Sequence, residues 1–298
     1  MVEPETTCAA LQQVTVEVDR GGAQAVETAL EALGALAVSL RDAGDEPLLE
    51  PPPGTHPLWG RVRVEALFQP LPPTDRLEAA LRAALGGPVR WAVAPLGERD
   101  WVRETQARFG ARRFGRELWV CPSWEPPPAR GTVLRLDPGV AFGTGTHPTT
   151  ALCLEWLDAH PPRRRTVLDY GCGSGILGIA AALLGAHRVW ATDIEPQALE
   201  ATARNALRNG LEAERLQVDP PQRLGATRAE LVMANILHGP LLALRPRLAA
   251  HTAPGGTLLL SGLLRGQADS LRAAYERDFA FLETRTKGDW VLLEARRR

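Results

Sequence analysis

The sequence predicts an α/β protein in two parts: an N-terminal β-α-β-β-α-β unit, then a larger, mostly parallel sheet with helices packed against it. Three observations predict it. From residue 165 onward, strand-like and helix-like stretches alternate, the order that builds a parallel sheet through right-handed crossovers. A glycine-dense turn, "GCGSG" at 171–175, separates one such strand from its helix. The first 97 residues hold four strand-like and two helix-like segments in a different order.

In the first part, "VTVEV" (14–18) alternates apolar and polar residues and reads as a strand. "AQAVETALEALG" (23–34) has helical spacing and ends on Gly34, a C-cap signal. "ALAVSLRD" (35–42) is a second strand, and a Pro/Gly loop runs on to Pro57. "GRVRVEALF" (60–68) alternates again. "TDRLEAALRAALGG" (74–87) is a helix with Thr74 as its expected N-cap, and "VRWAVAPL" (89–96) closes the set. This is the split order of a ferredoxin-like α+β domain, a fold that by itself specifies no function.

Residues 98–130 read as a connector. Its Arg-rich start, "ERDWVRETQARFGARRFG", is expected to be partly helical, and "CPSWEPPPARG" (121–131) is too proline-dense for a regular element. Residues 131–298 form the second domain. Strands are expected at 165–171, 187–193, 215–218, 230–237 and 256–262, with helices at 175–185, 196–209, 240–250 and 265–277. "AFLETRT", "KGD" and "WVLLEARR" read as a hairpin, which makes the final strand antiparallel to the rest.

Composition narrows the classes. With 298 residues, 45% hydrophobic and 23% charged, the chain is an ordinary globular one of about two domains. It holds no run of 18 uncharged apolar residues, and "MVEPETTCAAL" is acidic where a secretory leader would be basic, so no membrane association is expected. Cys8, Cys121, Cys153 and Cys172 are scattered without a C-x-x-C pair, and the six histidines do not cluster. Neither disulfides nor a metal site are expected, and reduced thiols point to the cytoplasm. The cysteines of "LCL" and "GCG" read as small buried fillers. Charge is uneven: residues 1–97 carry 13 Asp/Glu and 7 Arg, a net −6, and the remainder 22 Asp/Glu and 27 Lys/Arg, a net +5. That asymmetry bears on partners rather than fold.

"VLDYGCGSGILGIAAALLGA" (167–186) is a strand, a glycine turn and a helix. Gly171, Gly173 and Gly175 let backbone approach a ligand closely, and Asp193 ends the next strand, 20 residues after Gly173. An acid so placed accepts hydrogen bonds from both hydroxyls of a ribose, so a nucleoside ligand is expected. Gly173, Gly175 and Gly178 also satisfy the dinucleotide fingerprint, which keeps a nicotinamide cofactor as an alternative. Asp169 argues against it: two residues before Gly171, it would repel a pyrophosphate but could meet the cationic amino group of a methionyl moiety. The terminal hairpin and "ANILHGP" after the fourth strand point the same way, toward S-adenosylmethionine.

"FGTGTHPTT" (142–150) is the more specific stretch. Pro148 suits the first turn of a helix running through "TTALCLEWLDA", with Thr146 or His147 as the cap, and a helix N-terminus offers free N–H groups to an anion.

Together with "LDPGVAFGTGTHPTT", the segments "VLDYGCGSGILGIAA", "DIEPQALEATARNA", "ANILHGPL" and "SGLL" resemble, in order and spacing, the PrmA family, the methyltransferases of large-subunit ribosomal protein eleven. The resemblance is strong from about residue 98; over 1–97 only the element order matches the family's ferredoxin-like substrate-recognition domain. It implies a class I methyltransferase fold, a Rossmann-like seven-stranded sheet. It implies S-adenosyl-L-methionine as cofactor, S-adenosyl-L-homocysteine as product, and methylation of lysine ε-amines and an N-terminal α-amine of that ribosomal protein. Cofactor contacts are implied for Phe142, Gly143, Thr144, His147, Thr150, Asp169, Gly171, Gly173, Asp193 and Asn235. Asn235 is also the expected catalytic residue: its carboxamide oxygen could orient an incoming amine by accepting its N–H bonds. "NILH" (235–238) departs from the D/N-P-P-Y pattern of adenine and glutamine methylating enzymes and agrees with the family. His238 is expected to cap the next helix, with assistance in deprotonation the lesser role. A monomer that does not contact nucleic acid directly is expected. Two further readings stay open: another methyltransferase substrate, and a cofactor-binding assembly factor without catalysis.

Overall fold

The computed structural model describes residues 11–44, 46, 57–96, 109–137 and 145–298. The chain divides into two compact units, Met1–Trp101 and Val102–Arg298.

In the first unit, β1 (Gln12–Asp19), α1 (Ala23–Ala32), β2 (Ala37–Asp42), β3 (Arg61–Phe68), α2 (Thr74–Leu85) and β4 (Trp91–Pro95) follow the expected order. The antiparallel sheet runs β2-β3-β1-β4. Alternation does the work: Val14 and Val16 of β1, and Val62, Val64, Ala66 and Phe68 of β3, point to one face and are buried against Val26, Leu30, Leu77 and Leu81 of the helices. Leu33 is the C-cap of α1 and Gly34 follows at φ +90°. Thr74 is not an N-cap: it is the first helical residue, and the cap position holds Pro73, whose side chain cannot accept a hydrogen bond.

The second unit opens differently from the sequence expectation. The described part of the segment expected to be a connector contains strands: β5 (Arg112–Phe114) and β6 (Leu118–Cys121) join β7 (Thr132–Arg135) in a three-stranded sheet. The helix expected earlier in that segment falls largely on residues outside those described. The Pro-rich stretch 122–130 is irregular, as proline requires. Asp158 ties the β5–β6 turn down, accepting from the backbone N–H groups of Arg116, Glu117 (3.0 Å) and Leu118 (2.8 Å).

The main sheet has seven strands: β8 (Thr166–Tyr170), β9 (Arg188–Thr192), β10 (Leu216–Val218), β11 (Ala229–Asn235), β12 (Thr252–Leu264), β13 (Phe279–Lys287) and β14 (Trp290–Arg297). Their order is β10-β9-β8-β11-β12-β14-β13. The first five are parallel, and β14 lies antiparallel between β12 and β13, closing the hairpin read from the sequence. The helices are α3 (Pro148–Ala159), α4 (Ile176–Leu183), α5 (Pro196–Arg208), α6 (His238–His251) and α7 (Ala268–Tyr275). A 3₁₀ turn at Arg265–Gln267 precedes α7 and shortens the helix expected there. In β11, Leu231 and Met233 face one apolar cluster and Val232 and Ala234 the other, so the sheet is buried on both faces. The chain winds outward from β8 through β9 to β10, then returns to β11 and on to β12. The strand order therefore reverses between β8 and β11, where an open α/β sheet leaves a crevice at its carboxyl ends. Among the described residues no helix is long and apolar enough to cross a membrane, and no cluster of His, Cys, Asp or Glu could hold a metal ion.

Candidate functional site

The crevice is built first by the turn after β8. Gly171, Gly173 and Gly175 all sit at positive φ. Gly171 is the most constrained: at φ +79° a side chain would be strained, and its Cβ would lie 2.4 Å from Cγ2 of Ile236. Gly171 and Cys172 donate their N–H groups to the Thr192 carbonyl (2.8 and 3.0 Å), which sews the turn to the end of β9. Asp193 follows. One carboxylate oxygen accepts from the Gly173 N–H (2.9 Å) and the other from Glu195 N–H (3.1 Å). Each oxygen keeps a lone pair, and the side chain is only half-buried.

Helix α5 supports this turn from outside. Thr202 Oγ1 donates to the Gly173 carbonyl (3.1 Å) and Asn205 Nδ2 to the Ser174 carbonyl (2.8 Å). No motif marks Thr202 and Asn205. Their spacing of three on one helix face is the signal that could have found them.

Asp169 lies beneath the turn and is 1% exposed. Its carboxyl accepts from the Gly178 N–H (2.8 Å) in the first turns of α4. Burial pushes it up to about 7, against the Gly178 hydrogen bond, and the nearby Asp193 charge adds to the rise. It is therefore a floor to the crevice rather than part of its lining.

The second wall is the N-terminus of α3. His147 is the N-cap: Nδ1 accepts from the Thr149 N–H (3.4 Å) and lies 2.7 Å from Thr149 Oγ1. Pro148 occupies the first turn, as its missing N–H suits. The His147 ring meets Trp290 edge-on at 4.6 Å, and burial lowers its pKa, favouring the neutral ring. Phe142, Gly143 and Thr144, also expected at the site, lie outside the described residues.

Thr150 is fully buried, one residue into the helix from Thr149. Its hydroxyl oxygen accepts from Asn235 Nδ2 at 3.2 Å. This fixes the Asn235 carboxamide at the end of β11 with its amide nitrogen engaged. Its Oδ1 is buried and has no hydrogen-bond partner. An unsatisfied buried carbonyl costs about 1–3 kcal/mol, so such an oxygen is a vacancy for a donor. Ile236 is gripped from both sides. Gly171 faces its side chain, and Gly262 of β12, at φ +85°, faces its backbone so closely that a Cβ would lie 2.4 Å from its carbonyl oxygen. Ser261 accepts the Ile236 N–H (3.2 Å) through its carbonyl and is itself fully buried. Ser261 and Gly262 belong to the "SGLL" run, but nothing in that run indicates that it clamps Ile236.

The structure thus brings Gly171, Gly173, Asp193, Thr150, His147 and Asn235 to the carboxyl ends of β8, β9 and β11 and the adjoining start of α3. His238 is drawn away: it is the first residue of α6, caps nothing, and its Nε2 lies 2.8 Å from Ser270 Oγ. Cys153 and Cys172 are buried fillers; burial pushes the Cys153 thiol up to about 12 and raises that of Cys172 as well. The donor set fits S-adenosylmethionine. Asp193 has lone pairs for a diol, the glycine turn admits close approach, and the orphaned Asn235 oxygen awaits an N–H. What the described residues of the crevice offer is binding and orientation.

A family profile described as ribosomal protein L11 methyltransferase (PrmA) matches residues 10–298. The chain is 49% identical over 288 residues to a protein of Azotobacter vinelandii named ribosomal protein L11 methyltransferase, covering 96% of this chain and 99% of that one. It is 47% identical to one of the same name from Hahella chejuensis, over 96% and 98% of the two chains. Among solved structures, the crystal structure of ribosomal protein L11 methylase from Lactobacillus delbrueckii subsp. bulgaricus superposes with a TM-score of 0.58 at 34% identity. It covers 64% of this chain and all of that one.

Proposed function

Because the chain belongs to the ribosomal protein L11 methyltransferase family, we propose that it methylates ribosomal protein L11 on lysine ε-amines and on the N-terminal α-amine, with S-adenosyl-L-methionine as methyl donor. The observation that carries this reading is the Asn235 carboxamide, pinned by Thr150 with a buried, unpartnered oxygen at the crevice.

When bound, the cofactor supplies a methyl carbon attached to a sulfonium, so transfer is an in-line displacement. A neutral amine would form the C–N bond while the C–S electron pair stays on sulfur, which would give S-adenosyl-L-homocysteine and an ammonium that passes its proton to water. The protein's task is to deliver a neutral amine in line. A free lysine amine titrates near ~10.4, and desolvation lowers that value. Asn235 Oδ1 accepts one N–H of the amine and turns its lone pair toward the methyl carbon. Asp193 would hold the ribose hydroxyls, the Gly171–Gly175 turn would admit the methionyl portion, and Asp169 beneath it would favour the cationic amino group. The α3 N-terminus, capped by His147, would suit the cofactor's carboxylate. Orientation of this kind is the main contribution such a site makes.

Residues 1–97 serve as the docking domain for L11, and the second unit, which includes the β5-β6-β7 sheet, as the methyl-transferring domain. The enzyme acts in the cytoplasm, where L11 is made.

Incubation with isotopically labelled S-adenosylmethionine and total ribosomal protein from an unmethylated strain tests the reading. Mass spectrometry is expected to find label on L11, at lysines and the N-terminus. Label confined to another protein, or to none, would overturn it.

A further inference from the structure

The parallel strands run their carboxyl ends toward the crevice, so their amino ends gather at the opposite end of the sheet. There the topology collects arginines from segments far apart in sequence. Arg215 precedes β10, Arg188 opens β9, Arg164 and Arg165 precede β8, and Arg228 precedes β11. Arg296, near the end of antiparallel β14, is paired with Thr257 of β12 and so reaches the same end. All six are exposed. None forms an ion pair among the described residues, although arginines elsewhere in both units commonly do.

Their side-chain contacts leave the positive charge available. Arg188 reaches the Gln217 amide oxygen at 2.8 Å and lies over the Trp190 ring. Arg215 reaches the Ala182 carbonyl, and Arg296 the Gly255 carbonyl. The carboxylates at this end include Glu212, Glu214, Glu230, which the Thr166 N–H holds (2.9 Å), and Asp278, already paired with Arg245 and Arg297. Six unpaired cations on one rim repel one another, and nothing in the core requires them there.

Adjacent strands lie about 4.8 Å apart, so the row from β10 to β14, five steps, extends roughly 24 Å. That is a line of charge and not a pocket. It suits a polymer that repeats its negative charge along its length. An arginine's planar fork can grip phosphate oxygens two at a time.

We propose that this rim is a docking surface for the phosphate backbone of RNA. It lies at the end of the sheet opposite the crevice, so RNA and cofactor can be held at once. The choice of RNA over DNA rests on the reading that the substrate is a ribosomal protein, whereas the phosphate assignment rests on the arginines alone. It departs from the expectation that the chain makes no direct contact with nucleic acid.

The test is fluorescence anisotropy of the full chain with a labelled RNA hairpin of about 20 nucleotides, titrated at several salt concentrations; the readout does not depend on methyl transfer. Binding is expected to weaken steeply with salt, with each lost phosphate contact lowering the log–log slope by about 1. Arg165→Gln/Arg188→Gln/Arg228→Gln is expected to weaken binding at least tenfold while the unfolding midpoint and S-adenosylmethionine affinity stay as in the parent. Arg165→Glu alone, at an exposed side chain, is expected to weaken it severalfold. Absence of RNA binding by the parent, unchanged affinity in both variants, or equal competition by polyglutamate or a DNA duplex of the same charge would overturn the proposal.

Discussion

Asn235 is satisfied on one side only, and that decides what its loss should do. Truncation to alanine removes the acceptor for the incoming amine and leaves the Asp193 and glycine-turn contacts intact. Asn235→Ala is therefore expected to lower kcat strongly with little change in cofactor affinity, as separate turnover and calorimetric measurements would show; near-parental turnover would reduce it to a structural role. Thr150→Val keeps the shape and deletes the oxygen that holds the amide. It leaves the Asn235 amide N–H without its acceptor, at a cost of about 1–3 kcal/mol in stability. Release of the carboxamide is expected to lower turnover roughly tenfold or more, since small misplacements cost rate steeply. Asp169 makes a pH statement. Its folded value, about 7, lies above that of a free aspartate, so the folded state binds its proton more tightly. Its contribution to stability is thus fullest below about pH 4 and is lost as pH rises through about 7. A cation above the turn favours the ionised form, so S-adenosylmethionine affinity is expected to rise between pH 6 and 8. Asp169→Asn should flatten both profiles, read by denaturant unfolding and by calorimetry; an unaltered pair of profiles would remove Asp169 from that role.

At the scale of elements, the turn after β11 is wedged between two glycines. At Gly171 a methyl group would strike Cγ2 of the Ile236 side chain, which can give way only by changing a stiff χ1. At Gly262 it would strike the Ile236 backbone, which cannot. Both alanine variants are strained by positive φ, at about 1–3 kcal/mol. Gly262→Ala is expected to be the more destabilising and to lose more activity, because the displaced backbone carries Asn235 with it; equal thermal shifts in the two variants would contradict this. The elements themselves were largely legible. Long periodic segments such as α1, α5 and β3 declare themselves, and the G-x-G turn followed by Asp193 is a local motif. The β5-β6-β7 sheet was not legible, because strands of three or four residues are too short for alternation to stand out and sit amid arginines and prolines. The Thr150–Asn235 bond joins residues 85 positions apart, the Gly262 clamp joins two separate strands' ends, and no local pattern encodes such contacts. The motif places Asp169 among the contact residues; its burial depends on α4 folding back over it, which the motif does not reveal.

Across the whole molecule, each unit has its own core, and charge divides between them: residues 1–97 carry a net −6. Against a basic ribosomal protein this supports docking by the first unit. A form beginning near residue 98 is expected to bind S-adenosylmethionine as the full chain does, since the turn, Asp193 and Asn235 lie beyond it. It is expected to lose most activity on L11, and the full enzyme's KM for L11 should rise with salt as exposed charges are screened. Equal kcat/KM for the two forms would show the first unit to be dispensable. The placement of β14 has a consequence for biogenesis. This strand is translated after every other strand of its sheet, yet it lies inside it, between β12 and β13, so β13 has no neighbour until β14 arrives. Trp290, which braces His147, comes with it. A nascent chain can therefore assemble β8 to β12 and the glycine turn while still being synthesised, but it must keep one sheet edge open until β14 clears the exit tunnel. Such an edge invites pairing with the wrong strand. A chain stopped before β14 would therefore present the β12 edge unpaired.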